Sequence, residues 1–83
     1  VALNSEAYWA AKRGAFGDYL RELRGERSRR VIVAGLEGRN QDWYRHIEDG
    51  NRSFLRTSEI GELAQALGVP ANDIFRRAQK AGY

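Results

Sequence analysis

The stretch whose reading decides the fold is Asn40-Gln41-Asp42-Trp43-Tyr44-Arg45-His46-Ile47-Glu48-Asp49-Gly50. It reads as a short helix in its own right. Asn40 is a good N-cap, because its side-chain oxygen accepts an orphan backbone N–H of the first turn. Asp42 places negative charge where the helix dipole favours it, and Gly50 supplies the left-handed residue that ends the helix. Tyr44 and Ile47 share one face, with Trp43 four residues before Ile47. The other face carries Gln41, Asp42, Arg45 and His46, side chains that hydrogen-bond to base edges or phosphates. The expected element has an apolar back and a polar front offered to a partner.

Toward the N-terminus, Ala7, Tyr8 and Ala11, then Ala15, Phe16, Tyr19, Leu20 and Leu23, recur at helical spacing. The spacing predicts a helix from a Ser5 cap to about Arg24. Gly14 and Gly17 lie inside it, and each costs about 1 kcal/mol against alanine. A break near Gly14 is therefore expected, dividing residues 1–14, an N-terminal arm or helix extension, from a firmer domain over residues 15–80. Asp18, Glu22, Arg21 and Arg24 read as a solvated face. Gly25–Ser28 is a turn, and Ser28 caps a helix over Arg29–Leu36. The β-branched run Val31, Ile32 and Val33 also suits a strand, but the sequence offers nothing for a lone strand to pair with.

Toward the C-terminus, Asn51–Thr57 is a loop in which Phe54 and Leu55 are expected to tuck to the core. Thr57 or Ser58 is the expected cap of the next helix. Ile60, Leu63, Ala64 and Leu67 form its apolar stripe, and Gly68 stops it. Pro70 suits the start of a last helix over Ala71–Lys80, with Ile74, Phe75 and Ala78 as its apolar face. Arg76 and Arg77 near its end read as solvated cations that suit the dipole. About five helices joined by short turns make an all-α bundle.

The composition narrows the function. At 83 residues, one small domain is expected. Cysteine is absent, so there is neither a disulfide staple nor a thiolate metal ligand. No apolar run reaches the roughly 20 residues that a membrane span needs. No signal peptide is expected either, since Val1–Asn4 is too short. A cytoplasmic setting fits. With Val1 first and Tyr83 last, a piece of a longer protein is expected. The formal charge is +3, and only Lys12 and Lys80 among the cations are lysines. Arginine forks onto phosphates and guanine edges, although a GC-rich genome also enriches it. Catalysis wants a nucleophile beside a base, or paired carboxylates in a cleft. One histidine and no cysteine offer no such constellation, so no enzyme and no cofactor is expected. Asp42 and His46 are four apart, a spacing that suits a metal, but a single pair is not a site.

Leu20-Arg21-Glu22-Leu23-Arg24, then Arg45-His46-Ile47-Glu48-Asp49-Gly50, then Glu62-Leu63-Ala64-Gln65-Ala66-Leu67-Gly68-Val69 resemble in order the pattern of phage-repressor and Xre/Cro-type helix-turn-helix domains. The resemblance covers about residues 16–77. It implies a lambda-repressor-like, five-helix fold whose third helix enters the major groove of double-stranded DNA. Gln41, Asp42 and His46 would then face base edges, with Arg45 alongside. Phosphates would be held by Asn40, Asn51 and Arg52, and from the start of the second helix by Arg29 and Arg30. The resemblance also implies a pair between Arg24 and Glu48. The sequence departs from the family at Ser28–Ala34, where a Ser-Gln-x-x-Leu-Ala opening is usual, and at Trp43, where serine or threonine is usual.

The function so implied is a sequence-specific transcriptional regulator, a phage or prokaryotic repressor, cytoplasmic and associated with the nucleoid when bound. A homodimer through Ile74, Phe75 and Tyr83 is compatible with it, although Phe75 suits the core equally. Each contact has a plainer alternative: Gln41 as a solvated residue, Asp42 as a dipole partner alone. On the same scaffold a protein-interaction module, such as an antitoxin or adaptor domain, would instead offer Trp9, Phe16, Tyr19 or the last helix as an apolar patch.

Overall fold

The computed structural model describes residues 5–83, and the expectation about Val1–Asn4 lies outside it. Five helices follow in order: α1 Ser5–Arg24, α2 Arg29–Val33, α3 Gln41–Glu48, α4 Thr57–Leu67 and α5 Ala71–Lys80. There is no strand among the described residues. The fold is all-α, as the helical spacing predicts. Among the described residues, no helix is long and apolar enough to cross a membrane.

The helices meet around Phe16 and Leu20 of α1, Ile32 and Val33 of α2, Tyr44 and Ile47 of α3, Leu63 of α4 and Ile74 of α5. Leu20, Tyr44, Ile47, Leu63 and Ile74 are fully excluded from solvent. Burying each such side chain stabilises the fold by about 2 kcal/mol before the cost of ordering the chain. The whole predicted stripe of α4, from Ile60 to Leu67, faces inward.

Several expectations change. α1 does not break at Gly14 but runs unbroken from Ser5, whose side chain, and with it the expected cap, lies outside the described parts. Gly17 is buried against the backbone of Glu48, where a Cβ would overlap the carbonyl oxygen. Glycine at 17 thus lets α1 and α3 touch rather than interrupting α1.

The Val31–Val33 run is helical. Ser28 Oγ accepts the Val31 N–H at 3.2 Å, and Ile32 and Val33 point inward while Val31 stays exposed. α2 ends at Val33, and Leu36 reaches the core from the turn beyond it, its N–H donating to the Val33 carbonyl at 2.9 Å.

Leu55 is buried, but Phe54 is 54% exposed, so only one of the two tucks in. Phe75 points largely outward as well, leaving Ile74 and Ala78 as the inner face of α5. The cap of α4 is neither Thr57 nor Ser58. Arg56 occupies the cap position, and Glu59 folds back to accept its N–H at 3.0 Å. This is the returning half of a capping box without the usual hydroxyl half.

Candidate nucleic-acid interface

α3 is fixed at both ends. Asn40 Oδ1 accepts the Trp43 N–H at 2.9 Å, which satisfies a first-turn donor. At the far end Gly50 adopts a φ of 77°, and the Asn51 N–H donates to the His46 carbonyl at 2.9 Å. Arg13 of α1 adds a bond from Nε to the Gly50 carbonyl at 3.3 Å. Between these ends Tyr44, Ile47 and Glu48 are buried, while Gln41, Asp42, Arg45 and His46 are exposed. Arg45 Nη2 lies 3.2 Å from Asp42 Oδ1, so part of the negative charge of Asp42 is offset on its own face.

Beneath that face lies Glu48, whose side chain is wholly buried. The Arg24 guanidinium forks onto it, Nε to Oε2 at 2.9 Å and Nη2 to Oε1 at 3.0 Å. This is the pair that the resemblance implies. Arg29 joins from α2, with Nε and Nη2 donating to Oε1 at 3.2 and 3.0 Å, and Arg21 approaches to 3.6 Å. Burial pushes the Glu48 carboxyl up, but Arg24, the Tyr44 hydroxyl and Arg29 together outweigh it and hold the group below the ordinary carboxylate range. The Tyr44 hydroxyl is itself pushed up, chiefly by burial.

A second buried carboxylate, Glu59, sits at the start of α4. Its Oε1 accepts from the Arg56 N–H at 3.0 Å and from Arg52 Nη2 at 2.9 Å, and its Oε2 accepts from Trp43 Nε1 at 2.9 Å. Burial again raises the group, and these donors outweigh it, so Glu59 too is held low. Trp43 is thereby tied to α4. Its indole also carries the Arg39 guanidinium, 4.6 Å from the ring centre, while Arg39 forks onto Glu62 at 3.0 and 2.8 Å.

The structure therefore gathers Gln41, Asp42, Arg45 and His46 on one open face, with Asn51 exposed just past its end. Arg30 is exposed and has no carboxylate partner among the described residues. Arg29 is turned toward Glu48, and Arg52, 24% exposed, toward Glu59. Asn40 commits its side-chain oxygen to the cap.

Sequence reasoning missed Glu59 and Arg39. The available signal was Glu59 standing three residues after Arg56, the box spacing, hidden because arginine is not a usual cap residue. Nothing local pairs Arg39 with Glu62, which stand 23 residues apart in sequence and meet where Trp43 is tied to α4.

No curated protein and no solved structure matches the chain significantly. Residues 15–74 match the family described as a helix-turn-helix domain, which points to DNA-binding regulators in general. That match spans most of the chain, including α2, the turn and α3, so the protein belongs to the helix-turn-helix domain family.

Proposed function

We propose that this chain is a sequence-specific, double-stranded DNA-binding transcriptional regulator of the phage or prokaryotic repressor kind, which lays α3 in the major groove. The observation that carries this reading is the division of α3. Its back is locked by Tyr44, Ile47 and Glu48, while Gln41, Asp42, Arg45 and His46 stand open. Gln41 suits an adenine edge, Arg45 a guanine edge, and Asp42 a cytosine amino group. His46 completes the row.

Phosphate contacts fall to Arg30, Asn51 and Arg52, with Arg29 contributing through whatever charge Glu48 leaves uncompensated. Asn40 keeps its amide NH₂, the donor end that a phosphate needs. If two copies bind, their α3 helices lie about one helical turn apart. The reading assigns no catalytic residue and places the protein in the cytoplasm on the nucleoid.

Selection of binding sites from a random duplex pool tests it. A recurrent sequence bound with a steep salt dependence is expected. A pool that stays unenriched, with affinity indifferent to salt, overturns the reading. The second reading, a protein-interaction module of the antitoxin or adaptor kind, draws on the exposed aromatics Tyr8, Trp9 and Phe75. A stoichiometric protein complex without DNA affinity would favour it.

A further inference from the structure

Arg52 follows α3 in the loop to α4, and it is held at both its side chain and its backbone. Its Nη2 donates to Glu59 at 2.9 Å, and its carbonyl accepts from the Tyr83 hydroxyl at 2.8 Å. Its guanidinium lies 5.4 Å from the centre of the exposed Phe54 ring. Neither anchor is loose. Glu59 is buried and is also bound by Arg56 and Trp43. Tyr83 packs edge-on against Phe16, centroids 5.4 Å apart, and its N–H donates to the Ala78 carbonyl at 2.9 Å. Among the described residues, Nη2 alone of the guanidinium is engaged with a protein acceptor, so Nε and Nη1 keep their N–H groups for an anionic oxygen.

We propose that Glu59 and Tyr83 are positioning residues that hold Arg52 ready to clamp a DNA phosphate beside α3. This inference rests on the DNA-binding reading above. A free loop arginine loses rotamer freedom when it meets a phosphate, whereas one already oriented loses little. The Arg52 side chain is held by Glu59 at the N-terminus of α4, and its backbone by Tyr83, beyond the end of α5. Bulk charge acts in the opposite direction. Glu59 is an anion near the proposed interface, and removing it raises the net charge, which by itself favours DNA.

The experiment measures affinity for a random-sequence duplex by fluorescence anisotropy at several salt concentrations. It uses the whole chain, with Glu59→Gln and Tyr83→Phe placed in the wild-type and Arg52→Ala backgrounds. Glu59→Gln is expected to weaken binding about three- to tenfold, and Tyr83→Phe about two- to threefold. Both losses should disappear in the Arg52→Ala background, which a merely structural role would not produce.

Binding that is unchanged or tighter in Glu59→Gln overturns the proposal, as does an equal loss with and without Arg52. If Glu59→Gln does not fold, Tyr83→Phe keeps the ring on Phe16 and decides alone by the same criterion. A wild-type chain with no salt-dependent affinity defeats the DNA reading and this inference with it. Wild-type binding without the coupling defeats this inference only.

Discussion

Gly17 lies flush against the backbone of Glu48, with no room for a side chain between α1 and α3. A second glycine serves the same contact at the C-terminal end of α3: Gly50, at positive φ, faces the backbone of Arg13 and Gly14. The close approach brings Arg24 and Arg13 within reach of the C-terminal half of α3. The exposed face of α3 is thus oriented by a contact on its opposite side.

Alanine at the two central glycines of α1 is expected to act in opposite directions. Gly17→Ala forces α1 off α3 and should destabilise by about 3 kcal/mol, well beyond any gain in helix propensity. At Gly14 an added Cβ would meet nothing within 4 Å. Gly14→Ala should therefore stabilise by up to about 1 kcal/mol. Urea denaturation of the two variants checks this, and similar midpoints for both would contradict it.

Arg24→Ala leaves the buried Glu48 short of its best partner. Removing one member of a buried pair can cost about 4 kcal/mol, but Arg29 and Arg21 remain beside the carboxylate, so about 2 kcal/mol is expected. Combining Arg24→Ala with Glu48→Gln should cost less than the sum of the two, because the same interaction is removed twice. Thermal unfolding of the single and double variants measures the difference.

Acid should weaken the fold through its two buried carboxylates. Glu48 and Glu59 are held below their ordinary value in the folded chain, so the unfolded chain binds protons first as pH falls. Their contribution is complete above roughly pH 5 and is lost as pH drops through the depressed folded values. Unfolding free energy measured between about pH 6 and about pH 3 should decline toward acid. Glu48→Gln or Glu59→Gln should each make that decline shallower, although each variant is less stable at neutral pH.

On DNA, the exposed residues should separate into two kinds. Arg30→Ala should weaken binding to all sequences and reduce the salt slope by about one. Gln41→Ala should change the preference at one base position and leave the slope in place. Arg29→Ala is expected to change the slope less than Arg30→Ala and to lower stability more, because its guanidinium already serves Glu48. Salt titrations on selected and random duplexes distinguish these outcomes.

Local rules determined the five helices and most of their ends. Asn40 and Ser28 cap as their side chains predict, Gly50 and Gly68 terminate helices at positive φ, and the stripes of α3 and α4 bury the residues that their spacing picks out. Those rules act within one or two turns of chain, so the residues themselves carry them. The Arg24–Glu48 pair needed more than spacing, and it was the family resemblance that implied it.

Beyond the Arg24–Glu48 pair, the tertiary structure decided which of the other long-range cations meets which carboxylate. Arg29 is taken by Glu48, Arg52 by Glu59 and Arg39 by Glu62, while Tyr83 reaches back to Arg52 from the end of the chain. A long charged side chain has many reachable partners in sequence. The one it takes is set by which helix face packing brings opposite it. For the same reason Gly17 reads locally as a helix breaker, and only the proximity of α3 shows it to be a contact.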